Sequence, residues 1–298
     1  MENFILIVLA LGIGYGLNRL HIFPKEAANI LNKFVIFISL PAMILLQIPK
    51  LTLSMDILIP VIIAWIVMTL TAILTLFISK RLHFSKEVTG ALMLVAVLTN
   101  SSFLGIPVIN AYLGDEALPF ILVYDQMGTF LALATYGIFV AAYYSNQSEI
   151  TMHTMAVKIL TFPPFVSLVI ALFFIGTSFP ETISKVLLML ANTIVPVALV
   201  AVGLQLQLKL PGHELQPFGV ALLIKLIIAP LIALIIVAMA GWTNLAASVS
   251  VMEAGMAPMV TAGAMASMSG LAPRLSSAIV GYGILLSFFT TAILFKLL

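Results

Sequence analysis

The chain has 298 residues, 62% of them hydrophobic and 8% charged, with a mean hydropathy of +1.23. Soluble domains average about 45–50% apolar and about 25% charged residues, and no soluble core of this size hides so much apolar surface, so the composition excludes a water-soluble globular protein. The lack of cysteine excludes disulfides and thiolate metal sites, and a net charge of +2, with 13 Lys and Arg scattered between apolar runs, gives no nucleic-acid signal.

A helix needs about 20 apolar residues to cross the hydrocarbon of a bilayer. Apolar runs bounded by charge and Pro/Gly clusters predict an all-α integral membrane protein. Its transmembrane helices fall near residues 4–20, 30–48, 57–79, 88–112, 117–144, 156–176, 184–206, 217–240, 246–268 and 275–296. The first run, Phe4 to Leu20, lacks a basic n-region, follows Glu2 and leads into a second apolar run without an evident cleavage site. It therefore reads as a mature span and not as a signal peptide. Loops after the odd-numbered spans hold Arg19, Lys25, Lys33, Lys80, Arg81, Lys86, Lys158, Lys209 and Arg274, against Lys50, Lys185 and Lys296 on the other side. The positive-inside rule makes the odd loops cytoplasmic and both termini non-cytoplasmic, in a cell (inner) membrane.

Two stretches resemble one another. Pro24-Lys-Glu-Ala-Ala-Asn-Ile-Leu leads to Leu40-Pro41-Ala42-Met43, and Pro180-Glu-Thr-Ile-Ser-Lys-Val-Leu leads to Val195-Pro196-Val197-Ala198. A similar offset sets Gly114-Asp115-Glu116-Ala117 against Gly270-Leu271-Ala272-Pro273. The expected organisation is a five-helix repeat over 1–149 and a second over 150–298. Five is odd, so the second repeat enters from the opposite face, giving the inverted plan of many secondary transporters.

The fourth span carries Leu98-Thr99-Asn100-Ser101-Ser102-Phe103-Leu104-Gly105-Ile106-Pro107, and the ninth carries Met252-Glu253-Ala254-Gly255-Met256-Ala257-Pro258 and, further on, Gly263. Proline removes a backbone donor and glycine adds backbone freedom. The expected unwound stretches are therefore Asn100–Pro107 and Gly255–Gly263, and paired breaks in corresponding spans point to a transport site. Charges inside spans are few: Asp125 in the fifth, Lys225 in the eighth and Glu253 in the ninth. Each costs at least about 2.5–3.5 kcal/mol at the bilayer centre, which makes each a functional candidate. Asp125 and Thr129 stand one helical turn apart and are expected to face one cavity. Glu253 and Asp125 suit proton or Na+ coupling, and Lys225 suits attraction of an anion or neutralisation of a carboxylate in a fixed ion pair. Asn18, Gln47, Asn110, Asn192, Gln205 and Gln207 read as interhelical hydrogen-bonding groups. The histidines, His21, His83, His153 and His213, all fall in loops, and no span shows a metal-ligand set or a nucleophile with its base, so no enzyme and no resident cofactor is expected.

Leu40-Pro41-Ala42, the Asn100–Pro107 segment followed by Gly114, Val195-Pro196-Val197-Ala198 to Gly203, Lys225 to Pro230 and the Pro258 break together resemble the auxin efflux carrier family over the whole chain. The resemblance implies two inverted five-helix repeats, a scaffold domain and a core domain in which helices 4 and 9 cross at their unwound parts, and mostly organic-anion substrates. It also implies similarity to bile acid sodium symporters, in which an Asn of the fourth helix and a Glu of the ninth serve Na+; Asn100 and Glu253 match them, with Ser101 and Thr129 as neighbours. The expected solute site comprises Asn100, Ser101, Ser102, Gly105, Pro107, Met256, Pro258 and Lys225. Ion or proton coupling falls to Glu253, Asn100, Asp125 and Thr129, with Na+ at Asn100, Ser101, Thr129 and Glu253. The Asn-Pro-Asn crossover and the large central loop of many plant members are missing, which favours a small carboxylate, malonate-like, over auxin. The expected partners are that anion, the lipid bilayer and a second copy through the scaffold domain. A cation–proton antiporter and a membrane sensor that binds solute without moving it are the rival readings.

Overall fold

The computed structural model describes residues 2–24, 26–50, 55–145, 157, 160–177, 179–206 and 214–298, with side chains from Ile5 onward. Lys25, His153, Lys158, Gln207, Lys209 and His213 lie outside the described residues. The described chain is helical: α1 Glu2–Arg19, α2 Ala27–Lys50, α3 Met55–Arg81, α4 Lys86–Val95, α5 Ser101–Leu113, α6 Asp115–Ser145, α7 Pro163–Leu172, α8 Glu181–Gln205, α9 Leu215–Ala240, α10 Leu245–Ala254, α11 Val260–Met268 and α12 Pro273–Phe295. Six of these, α2, α3, α6, α8, α9 and α12, are long and apolar enough to cross a membrane. Helices satisfy their own backbone, which is the condition for standing in lipid. Large apolar side chains such as Val8, Phe37, Met239 and Phe289 stay exposed on the outside, where lipid is their natural neighbour. By contrast α6 is mostly enclosed by protein and forms the centre of the molecule.

Prolines shape the long helices from within. Pro41, Pro107 and Pro230 each stand just after a π-helical turn, at Val35–Ser39, Ser101–Gly105 and Ile224–Ile228. Proline offers no N–H to the carbonyl one turn back, and a widened turn absorbs the mismatch. Near Pro41 and Pro196 the bends of α2 and α8 touch through Ser39 Oγ and Thr193 Oγ1, 2.6 Å apart. Helices α1 and α8 approach backbone to backbone. A Cβ on Gly14 would stand 2.3 Å from the Val200 carbonyl oxygen, and one on Gly203 would stand 2.4 Å from that of Leu11.

The fourth and ninth apolar runs are interrupted: the first gap lies N-terminal to the expected stretch and meets it only at Asn100, while the second falls inside the expected Gly255–Gly263 and is shorter. The helix stops after Val95 and resumes at Ser101, and it stops after Ala254 and resumes at Val260. Pro107 and Gly263 lie inside helix. Proline is compatible with the first turn of a helix, so Pro107 marks the start of regular α-helix beyond the π turn and not the gap itself.

Candidate functional site

The two interruptions meet. Asn100 donates its backbone N–H to the Ala257 carbonyl at 2.9 Å, and Met259 donates to the Leu98 carbonyl at 3.1 Å, giving an antiparallel bridge between Thr99 and Pro258. Four half-helix ends converge here: the C-terminal ends of α4 and α10 and the N-terminal ends of α5 and α11. Helix N-termini carry partial positive charge and C-termini partial negative charge. The proline ring at 258 needs a glycine opposite, because a Cβ on Gly283 of α12 would lie 2.4 Å from Pro258 Cδ.

Ionisable side chains stand at two of the four ends. Asp125, 2% exposed, accepts hydrogen bonds from Ser101 Oγ, Ser102 Oγ and Gln126 Nε2, all at 2.5 Å, at the start of α5. Lys225, 1% exposed, donates to Thr99 Oγ1 at 2.6 Å and to the Ala254 carbonyl at 3.2 Å, at the end of α10. Glu253 is fully buried and neither carboxylate oxygen has a hydrogen-bond partner. It presses on α5 where there is no side chain: a Cβ on Gly105 would stand 2.7 Å from Glu253 Oε1. The fixed ion pair, one of the readings open for Lys225, does not form; its ammonium bonds to a hydroxyl and a carbonyl. Asn100 is buried with its Nδ2 unpaired, and Met256 is buried in the core.

The fourth end, the start of α11, is uncapped. Its N-cap, Met259, offers no side-chain acceptor to the first amides, and the leading N–H groups of a helix have no partner within it. A cavity of about 80 Å³ opens beside it, walled by Met259, Thr261, Ser102, Asp125, Gln126 and Phe130 among others. Phe162 stacks on Phe130 with ring centroids 3.8 Å apart and closes one side.

Asp125 and Thr129 do not share a cavity, contrary to the α-helical spacing. Tyr124–Phe130 is π-helical, and wider turns change which face the fourth residue along presents. Thr129 lines a separate small pocket with Thr99 and Tyr124. Two larger cavities flank the crossing. One of about 270 Å³ is lined by Gln47, Asn110, Asn192, Asp115 and Pro107, with Leu6 at its edge. The other, about 570 Å³, is lined by Asn18, Gln205, Ser267, Ser277, Gly263 and Val260. Leu6 and Asn18 both belong to α1, about 18 Å apart along its axis at 1.5 Å per residue, so the two cavities lie toward opposite ends of the bundle. Of the amides expected to join helices, Asn18, Gln47, Asn110, Asn192 and Gln205 are instead polar walls of these cavities. Thr99, Gln126 and Thr261 are neighbours of these groups at the crossing that the sequence reasoning did not single out. Thr99 and Gln126 adjoin chosen residues, and that adjacency was the available signal.

A family model described as "Membrane transport protein" matches residues 1–295. The chain belongs to this family, the auxin efflux carrier group of the resemblance above. A protein of Methanothermobacter thermautotrophicus named as an uncharacterized transporter is 26% identical over 268 residues, covering 89% of this chain and 87% of that protein. Another uncharacterized transporter, from Methanocaldococcus jannaschii, is 29% identical over 219 residues, covering 70% of each. With these relatives, the multi-pass membrane character and the assignment to transport stand together.

Proposed function

We propose that this transporter carries a small organic anion, a malonate-like carboxylate, by alternating access, and that the anion binds at the crossing of the two interrupted helices. The observation that carries the reading is the uncapped N-terminus of α11, facing a cavity at a crossing whose α5 and α10 ends already hold Asp125 and Lys225. A carboxylate suits that free positive end, and the unpaired Nδ2 of Asn100 supplies a further donor.

The fold is read here as two inverted five-helix repeats with ten crossings, α4/α5 and α10/α11 each making one. Supporting it, the exchanged hydrogen bonds of the crossing are related by an approximate two-fold axis. So are the left-handed turns: His21 and Gly176, His83 and Gly241, and Gly114 and Gly270 take positive φ at matching places in the two halves. Helices α1, α2, α7 and α8 form the scaffold and the remainder the moving core, with the two flanking cavities as the alternate paths to the site. Glu253 and Asp125 are the groups suited to couple movement to a proton, with Lys225 and Tyr124 the other titratable groups around them.

Uptake of malonate by proteoliposomes, with and without a pH gradient, tests this. Asn100→Ala and Glu253→Ala are each expected to lower flux by at least about tenfold, the effect of losing about 1.4 kcal/mol of interaction in the moving state. Unchanged flux in both would reject the assignment. The two buried carboxylates also favour a cation–proton antiporter, which Na+/H+ exchange in vesicles free of organic solute would reveal.

A further inference from the structure

We propose that the Lys225 ammonium is a tethered stand-in for a mobile coupling cation, so that this carrier works without Na+ and loss of the side chain uncovers a Na+ site. The transport half of the inference rests on the carrier reading above; the binding half stands on the residues around Lys225 alone.

The place that the ammonium occupies is built from oxygen. Thr99 Oγ1 lies 2.6 Å from Nζ and the Ala254 carbonyl 3.2 Å. Ala254 ends α10, so its carbonyl belongs to the negative end of a half-helix, where the last carbonyls lack partners within the helix. Glu253, one residue earlier, keeps both carboxylate oxygens unpaired in a fully buried setting. A hydroxyl and a main-chain carbonyl are donors that suit a hard cation, and the Glu253 carboxyl, beyond ion-pair distance of the ammonium, is the nearby acidic group that a cation placed there would draw on. Among the described residues the ion pair is Lys185 with Glu181 on the surface, so Lys225 is not held there by a carboxylate.

Lys225 reaches this place from a different span. It stands on the π turn Ile224–Ile228 of α9, and its side chain lines none of the cavities described above. It therefore meets the helix end and not the solute. A charge fixed to α9 neutralises the same oxygens in every conformation and is never released, so no ion gradient drives the carrier through it.

The test compares NaCl with choline chloride at equal ionic strength. Purified wild-type protein is expected to show the same Tm in both salts and the same malonate flux. Lys225→Met is expected to gain a Na+-specific rise in Tm of about 3–5 °C at Na+ tenfold above its Kd, and Lys225→Met/Glu253→Gln to lose it. A Na+-specific Tm rise or a Na+ requirement for flux in the wild type overturns the proposal. So does a folded Lys225→Met protein that ignores Na+. Should that variant not fold, a Na+-specific effect on the wild type still overturns the proposal. Absence of malonate flux in every salt rejects the carrier reading alone, because the Tm titration needs no solute.

Discussion

Gly105 shows how closely the site is drawn at the scale of single residues. Glu253 presses on α5 at this glycine, and an added methyl there meets the far end of a flexible side chain and not backbone. Gly105→Ala is therefore expected to fold with a Tm loss of only a few degrees, while displacing the Glu253 carboxylate. Flux should fall about 10- to 100-fold, the scale on which a 1 Å misplacement of a working group is felt. Wild-type flux in that variant would mean that the carboxylate takes no part. The sequence announced Asp125, Lys225 and Glu253 as functional candidates, because a charge within an apolar run is conspicuous. It did not announce their partners. That a buried lysine needs acceptors follows from physics; that Thr99 and the end of α10 supply them is decided by how three spans pack, which no local pattern carries. The glycine at 105 likewise read as a breaker, and its actual use is the space it leaves.

Among helical elements, rigid and soft obstacles separate cleanly. Gly283 on α12 faces the Pro258 ring, which cannot rotate away, so Gly283→Ala is expected to cost about 1–3 kcal/mol, the usual penalty of overpacking. A thermal melt reads this, and adding Pro258→Ala should recover most of the loss; no recovery would place the clash elsewhere. The helix ends offer a second comparison. Gly241 takes φ +68° at the end of α9, and His83 takes φ +53° after α3. A left-handed residue other than glycine costs about 1–2 kcal/mol, so Gly241→Ala should lower stability by about 1 kcal/mol whereas His83→Gly should not. Equal losses would contradict the matching of the two turns. The existence and approximate limits of these elements were legible, since charge, Pro and Gly punctuate them locally. Two features were not. The π turns before Pro41, Pro107 and Pro230 arise from the contest between a proline and its enclosing helix, and the first gap lies N-terminal to its expected place because a helix tolerates proline in its first turn.

For the molecule as a whole, the two flanking cavities make the arrangement measurable from outside. The chain has no cysteine, so Asn110→Cys and Ser267→Cys each introduce a single thiol, one in the wall of each cavity. On the orientation expected from the positive-inside rule, a membrane-impermeant reagent should label residue 110 from the outer face and residue 267 from the cytoplasmic face of oriented vesicles. Labelling of both from one face would overturn the opposed paths. The close contact of α1 with α8 should resist change far more strongly. Gly14→Val places side-chain atoms on the Val200 carbonyl, a backbone obstacle, and is expected to lower stability by at least about 2 kcal/mol in a denaturant or thermal titration.

The exchanged bonds at Asn100–Ala257 and Met259–Leu98 carry a mechanical consequence. Each gap answers part of its backbone need with the other gap, so sliding one past the other would strand two amides in a dry interior at about 1–3 kcal/mol each. The interrupted spans are lashed together like crossed spars. Whatever passes through this protein is expected to travel with that cross as a single piece, hoisted from one water face to the other without the knot being untied.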